Sequence, residues 1–217
     1  MAPERVSKHY AKGALPYILP ILTEQLAKQE PDTDDEEWVP TKAAGVCIML
    51  LAQCCGDAVV DEILPFITQH FTSSDWHHRE AAIMAFGSIM EGPSRGKLMT
   101  LVEQAIQPLI ITLSDANTAV KDTAAWAIGR ICDNCEELVT KENILKNSLL
   151  PALFTALHDP APKVAANVCW AISSLVKAAY QVAVERGGTD ANGHLQTSIL
   201  SGYFATMVAE LIKTTDR

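Results

Sequence analysis

The residues of this chain that could do chemistry are tryptophans set among carboxylates. The stretch Glu30-Pro-Asp-Thr-Asp-Asp-Glu-Glu-Trp-Val-Pro40 places Glu30, Asp32, Asp34, Asp35, Glu36 and Glu37 directly ahead of Trp38, with no Lys or Arg among them. Like charges this close repel, and Pro31 and Pro40 cannot continue a helix, so the run is predicted to be a solvated loop, 30–40. Two further tryptophans, Trp126 and Trp170, stand 44 residues apart. Arg130 and Asp133 lie one and two helical turns beyond Trp126, and Asn167, Ser174 and Lys177 flank Trp170. An indole face attracts Lys or Arg through cation–π contact and packs their methylene stems, while neighbouring carboxylates pair the charged heads. The ligand this chemistry fits is a basic segment, helical where it lies along the tryptophans. Trp76 lacks such flanking and is expected to staple two helices.

Other chemistries find little support. His9, His70, His77, His78, His158 and His194 form no metal or triad spacing, and there is no phosphate-binding glycine loop. Cys132-Asp-Asn-Cys135 matches a CxxC pair. It lacks the second pair a zinc site needs and the βαβ context of a redox site. The six cysteines fall in or beside apolar helical segments and are expected to be reduced thiols of a cytosolic or nuclear protein. The expectation is therefore a protein that is not an enzyme and has no cofactor and no metal. A net charge of −9 argues against nucleic-acid binding and suits a positively charged partner. No apolar run approaches the ~20 residues that span a bilayer, and no signal-peptide pattern is present, so membrane insertion is not expected.

The elements that must position the tryptophans are helices. The chain is 48% hydrophobic and 6% aromatic, a profile of helices packed on helices. Apolar spacing predicts helices over 11–29, 41–55, 59–71, 77–91, 97–113, 118–136, 144–157, 162–184 and 196–213, with no convincing strand. Leu19-Pro20-Ile, Leu64-Pro65-Phe, Gln107-Pro108-Leu and Leu150-Pro151-Ala recur at intervals of 45, 43 and 43 residues, each in the first helix of a pair. The second helices open with Lys42-Ala-Ala, Arg79-Glu-Ala-Ala, Lys121-Asp-Thr-Ala-Ala and Lys163-Val-Ala-Ala. This period, with proline in the first helix and Asp plus Lys or Arg opening the second, resembles the HEAT repeat. The expected fold is all-α: an α-solenoid of four full repeats (11–56, 57–94, 97–138, 142–185) and a partial one (196–217), a single domain over 1–217. Neither end looks like a polar cap, so a longer solenoid is expected.

A helical wheel places Ala124, Ile128, Ile131, Cys132 and Cys135 roughly 140–240° from Trp126. Around Trp170 the wheel likewise sets Ala165, Val168, Ile172, Leu175 and Ala179 on the far side. Both indoles are thus expected on the non-core face of second helices, which line the concave wall of a HEAT array. Lateral burial between repeats is the other position open to them. The matching face of the second repeat carries Glu80, Met84, Ser88 and Glu91.

Several blocks in fixed order carry a more specific resemblance. They are Lys42-Ala-Ala-Gly-Val-Cys47, Leu64-Pro-Phe66, Met84-Ala-Phe-Gly87 with Glu91-Gly-Pro93, Asp122-Thr-Ala-Ala-Trp126 with Gly129-Arg-Ile-Cys132, Asn167-Val-Cys-Trp170 and Thr214-Thr-Asp-Arg217. Together with the acidic run ending in tryptophan, they resemble a middle section of the importin-β family of nuclear transport receptors. The resemblance implies binding of the basic N-terminal segment of importin-α, or of basic cargo, on the concave face. It implies release by Ran-GTP and FG-repeat nucleoporins on the convex face, in a monomer moving between cytoplasm and nucleus through the pore. It assigns Trp38, Trp126, Trp170, Asn167 and Asp133 to the basic ligand, and Asp32, Asp34, Asp35, Glu36 and Glu37 to a loop meeting both Ran and the basic segment. The chain departs from the family at 187–193 and in the 133–148 connection. The competing reading is a structural HEAT scaffold of the phosphatase-subunit type, which would not need indoles set over carboxylates.

Overall fold

The computed structural model describes residues 8–29, 39–190, 192 and 194–215. The acidic residues 32–37 and Trp38 lie outside them, as do Asp216 and Arg217. The chain divides into two compact units at Ser94/Arg95.

The first unit holds two helix pairs. α1 (Tyr10–Leu26) and α2 (Pro40–Cys55) flank the acidic stretch, and α3 (Asp57–His70) leads into α4 (Trp76–Ser88). Leu15, Leu19, Ile48, Ile63 and Phe86 are fully buried between them. Pro16 and Pro20 sit inside α1 and Pro65 inside α3. Each removes one ladder donor, and its ring crowds the carbonyl a turn earlier. α4 is enclosed almost all round: Ala81, Ala82, Ile83, Ala85, Phe86 and Gly87 have essentially no exposure, and Ser88 is buried with them. Asp75 caps α4 through His77 N at 3.1 Å.

The α4 exit is fixed by backbone packing. Gly92 has φ +112°, and a Cβ there would stand 2.2 Å from the Ala52 carbonyl oxygen. Only glycine combines that conformation with that approach. Nearby, Asp57 accepts from Ser94 N at 2.6 Å and from Ser94 Oγ at 2.8 Å, tying the end of the unit to the start of α3.

The second unit opens with α5 (Arg95–Thr112) and α6 (Thr118–Asn134), then turns through α7 (Glu136–Val139) and α8 (Glu142–Ile144). A π-turn over Leu145–Leu149 feeds α9 (Leu150–Ala156), followed by α10 (Pro162–Glu185) and α11 (Phe204–Thr215). The predicted helix over 144–157 is thus observed as a helical run from Glu142 to Ala156 with a π segment inside it. Pro151 has no N–H to give, and just before it the ladder widens so that Leu150 N bonds Leu145 O, five residues back. The last helix is shorter than predicted. Residues 196–200 are irregular, Ser201–Tyr203 is a 3-10 turn, and α11 begins at Phe204. Ser198 Oγ accepts from Leu200 N, and Ser201 Oγ from Ser198 N, so short hydroxyl side chains cap a loop where a first helical turn was expected. An antiparallel bridge joins Thr189 to Leu195.

Candidate peptide-binding face

The face that carries Trp126 and Trp170 is built by α6 and α10. Asn117 caps α6, its Oδ1 accepting from Ala119 N at 2.8 Å, while Asp115 accepts from Asn117 N at 2.8 Å. Before α10, Asp159 accepts from Ala161 N at 2.9 Å and Pro162 occupies the first helical position, where its missing N–H costs nothing. Such caps fix the starting point of each helix, and so which residues share a stripe.

Three contacts lace the helices together in order along their length. Lys121, at the start of α6, pairs with Asp159 ahead of α10, the two side chains only 15% and 10% exposed. Asn167 Nδ2 donates to Asp122 Oδ1 at 2.7 Å. Further on, the six-membered ring of Trp170 covers Gly129 so closely that a Cβ there would lie 2.2 Å from Cζ3. Burial opposes ionisation of Asp159, yet the Lys121 ammonium and the Ala161 N–H hold its carboxyl below the ordinary value.

α6 leaves one narrow stripe uncovered. Ala124, Ala125, Ala127, Ile128, Gly129, Ile131 and Cys132 are buried, so the small residues beside the indole are enclosed as fully as the apolar stripe behind it. Trp126 and Arg130 are half-buried on the remaining stripe, with Asp122 before them and exposed Asp133 after. Trp170 is half-buried too, and Asn167 lies one turn before it. Trp170 thus stands between the two positions anticipated, one edge packed laterally on Gly129 of the preceding repeat and the rest part-exposed, and Trp126 is likewise only half-buried.

Ser174 departs from the wheel. It was expected to flank Trp170 on the open face, but it has no exposure and its Oγ has no partner among the described residues. α10 packs against α6, α7 and α9, and its neighbours enclose more of its circumference than a single core stripe. Ser88 and Glu80 on α4 are likewise buried rather than displayed. Glu80 instead receives Gln29 Nε2, which also donates to His77 O at 3.0 Å. Gln29 is the last described residue before the acidic run, so the root of that run is fastened to the first turns of α4. Trp76 is half-buried, and its ring stacks on His77 at 3.8 Å.

The CxxC thiols are buried at the C-terminal end of α6. Burial pushes both up, Cys135 to about 11, which leaves little thiolate at neutral pH to bind a metal or attack a disulfide. Among the described residues no group of three or more His, Cys, Asp or Glu is placed to hold a metal ion, and no helix is long and apolar enough to cross a membrane.

Comparison with known proteins is decisive on kinship. A HEAT-like repeat model matches residues 76–131, and a model described as importin subunit beta-1-like TPR repeats matches 148–217. Importin subunit beta-1 of Schizosaccharomyces pombe is 37% identical over 215 residues, 99% of this chain and 24% of that protein. A crystal structure of importin beta superposes with a TM-score of 0.88 at 31% identity, covering 98% of this chain and 23% of the other. The chain belongs to the importin-β family. Its fold is the all-α HEAT-repeat solenoid of that family. Kap95p, in a structure with RanGDP, matches with a TM-score of 0.82 at 32% identity, and in a complex with Nup1 with a TM-score of 0.84 at 32% identity. These cover 100% of this chain and 23% of Kap95p in each case. This importin-β chain spans about a quarter of the length of the curated relative.

Proposed function

We propose that this importin-β chain acts in nuclear import as a receptor section. It takes the basic N-terminal segment of importin-α, or a basic cargo segment, against the α6–α10 face. One observation carries the reading: adjacent second helices each offer a part-exposed indole, Trp126 and Trp170, along a stripe bearing Asp122 and Asp133. A basic helix crossing this face would lay its Lys and Arg stems on the indoles and turn its charged heads to the carboxylates. Asp133 is the open carboxylate. Asn167 is held in place by Asp122 and presents its remaining amide capacity beside Trp170.

The acidic run Asp32, Asp34, Asp35, Glu36 and Glu37, closed by Trp38, acts in this reading as a charged flap rooted at Gln29. It adds long-range attraction for a basic ligand and a second contact for Ran-GTP. Kinship with Kap95p, whose structures include RanGDP and Nup1, supports Ran-GTP and FG-repeat nucleoporins as partners, the latter on the face away from the indoles. The protein so described is a monomer with no enzymatic activity, shuttling between cytoplasm and nucleus through the pore.

The test is a titration of a basic importin-α N-terminal peptide followed by tryptophan fluorescence at low and high salt. Binding that weakens with salt, and by about five- to thirtyfold in Trp126→Ala and in Trp170→Ala, is expected from cation–π contacts of about 1–2 kcal/mol each. Unchanged affinity in the double variant would overturn the reading.

A further inference from the structure

A second surface of the Arg95–Arg217 unit has the opposite chemistry to the indole face. Where α7 and α8 meet the C-terminal end of α10, a cleft of about 780 Å³ is lined by Lys141, Lys146 and Arg186, with Glu137 and Glu142 beside them. Both carboxylates are already engaged: Glu142 with Lys146, and Glu137 with Arg95 at 3.5 Å. Lys141 reaches Glu103 at 2.8 Å. Arg186, exposed just beyond the end of α10, meets no carboxylate among the described residues and supplies the surplus positive charge in a chain whose net charge is −9. An adjoining cleft of about 390 Å³ shares Arg186, Thr140 and Ile199 with the first, and its floor is Ala179, Val182 and Ala183. Arg186 therefore stands at the junction of an apolar hollow and a cationic one.

We infer that this pair of clefts is a docking site for an acidic peptide that carries an apolar side chain immediately before its carboxylates. The apolar side chain would enter the hollow over Val182 and Ile199. The following carboxylates would reach Arg186, whose planar guanidinium accepts such a group in a two-pronged, charge-assisted contact. Lys141 and Lys146, both partly exposed, each have further N–H donors to share with a second carboxylate while they keep Glu103 and Glu142 neutralised. Charge complementarity fixes the ligand class. A basic segment, the ligand of the α6–α10 face, would meet the surplus cation here and be repelled. The two sites therefore read opposite ligands, and this inference stands whether or not the indole-face reading holds.

The experiment is fluorescence polarisation on the full chain with a labelled peptide, Gly-Ser-Leu-Asp-Asp-Ser-Gly. The controls are the same peptide with both Asp replaced by Asn and with Leu replaced by Ser. The expected result is salt-sensitive binding that weakens about tenfold or more in each control peptide, because each removes one half of the contact. Arg186→Glu should cost the Asp peptide the same factor and leave the Asn peptide unaffected; Lys146→Glu provides the same reading should the first variant melt early. Absence of binding by the Leu-Asp-Asp peptide, equal binding of the Asp and Asn peptides, or full affinity in a folded Arg186→Glu chain would each overturn the inference.

Discussion

Trp170 and Gly129 occupy what would otherwise be one volume. A methyl group on Gly129 would stand 2.2 Å from Cζ3 and 2.4 Å from Cε3 of the indole, far inside contact distance. The indole's orientation on the α6–α10 face is therefore set by the absence of a side chain one helix away. Gly129→Ala should destabilise the second unit by about 1–3 kcal/mol, as overpacking does, and redirect the ring. If Gly129 acts on ligand binding only through Trp170, its affinity penalty for the basic peptide disappears in a Trp170→Ala background. Titrations of the four chains in that double-mutant cycle decide it; a penalty that persists without the indole would refute the coupling.

Lys121 and Asp159 tie the start of α6 to the start of α10. Replacing Lys121 with Met removes that cation from beside a nearly enclosed carboxylate, and a loss of about 3 kcal/mol is expected in urea unfolding at neutral pH. The pH dependence has a definite sign. The Asp159 carboxyl lies below its ordinary value in the folded chain, so its contribution is complete above the unfolded carboxylate range near pH 4. It is lost as pH falls through the lower folded value. The gap between wild type and Lys121→Met should therefore narrow on acidification below about pH 4 and stay constant from pH 5 to 8.

Asp75 offers a second acid-sensitive contact in the other unit. It caps α4 and accepts from the ring nitrogens of His77 and His78 at 2.8 Å each. Hydrogen bonds from these two rings and from His77 N hold its carboxyl at about 2. Asp75→Ala should lower the melting temperature, while Asp75→Asn, which keeps a capping oxygen, should lower it less. The difference between wild type and Asp75→Ala should close between pH 4 and pH 2, where the carboxyl takes up its proton. Equal melting temperatures at pH 6 would show that the cap adds nothing.

Gly92 should tolerate no side chain. Gly92→Ala combines a left-handed backbone with a methyl group 2.2 Å from the Ala52 carbonyl oxygen, and a loss of about 3 kcal/mol or more is expected. Gly13, where an added Cβ would meet nothing within 4 Å, is the internal control: Gly13→Ala in α1 should be neutral or stabilising by up to about 1 kcal/mol. Chemical denaturation of both variants side by side checks the pair.

Much of the fold was legible because HEAT pairs repeat their punctuation. Proline in the first helix recurs at intervals of 43–45 residues and a basic residue opening the second at intervals of 37–42, and the observed α1 to α6 start and end within a few residues of their predicted bounds. The π segment over Leu145–Leu149 was not legible, because it is a bonding choice within a helix that the spacing does predict. Leu145, Leu149 and Leu150 keep helical spacing, and nothing in that spacing reveals that the ladder widens to five residues ahead of Pro151. The tryptophans were half legible for a related reason. A wheel orders residues around their own helix but carries no information on what lies beside it. It turned Trp126 and Trp170 correctly away from the core stripe, and it could not foresee that Ser174 would be sealed or that Gly129 would receive an indole. The pairing of Asp122 with Asn167 was missed outright; its only sequence signal is the 45-residue separation, one repeat, between two short polar side chains.

The lacing of α6 to α10 has a consequence for selectivity. Lys121–Asp159, Asp122–Asn167 and Gly129–Trp170 leave the helices no freedom to slide past one another without breaking a part-buried contact. Trp126 and Trp170 are thus marks on a stiff gauge. A ligand that meets both must carry its cations at the matching pitch, so two peptides of identical composition and charge, differing only in the interval between their basic residues, should be told apart by length alone.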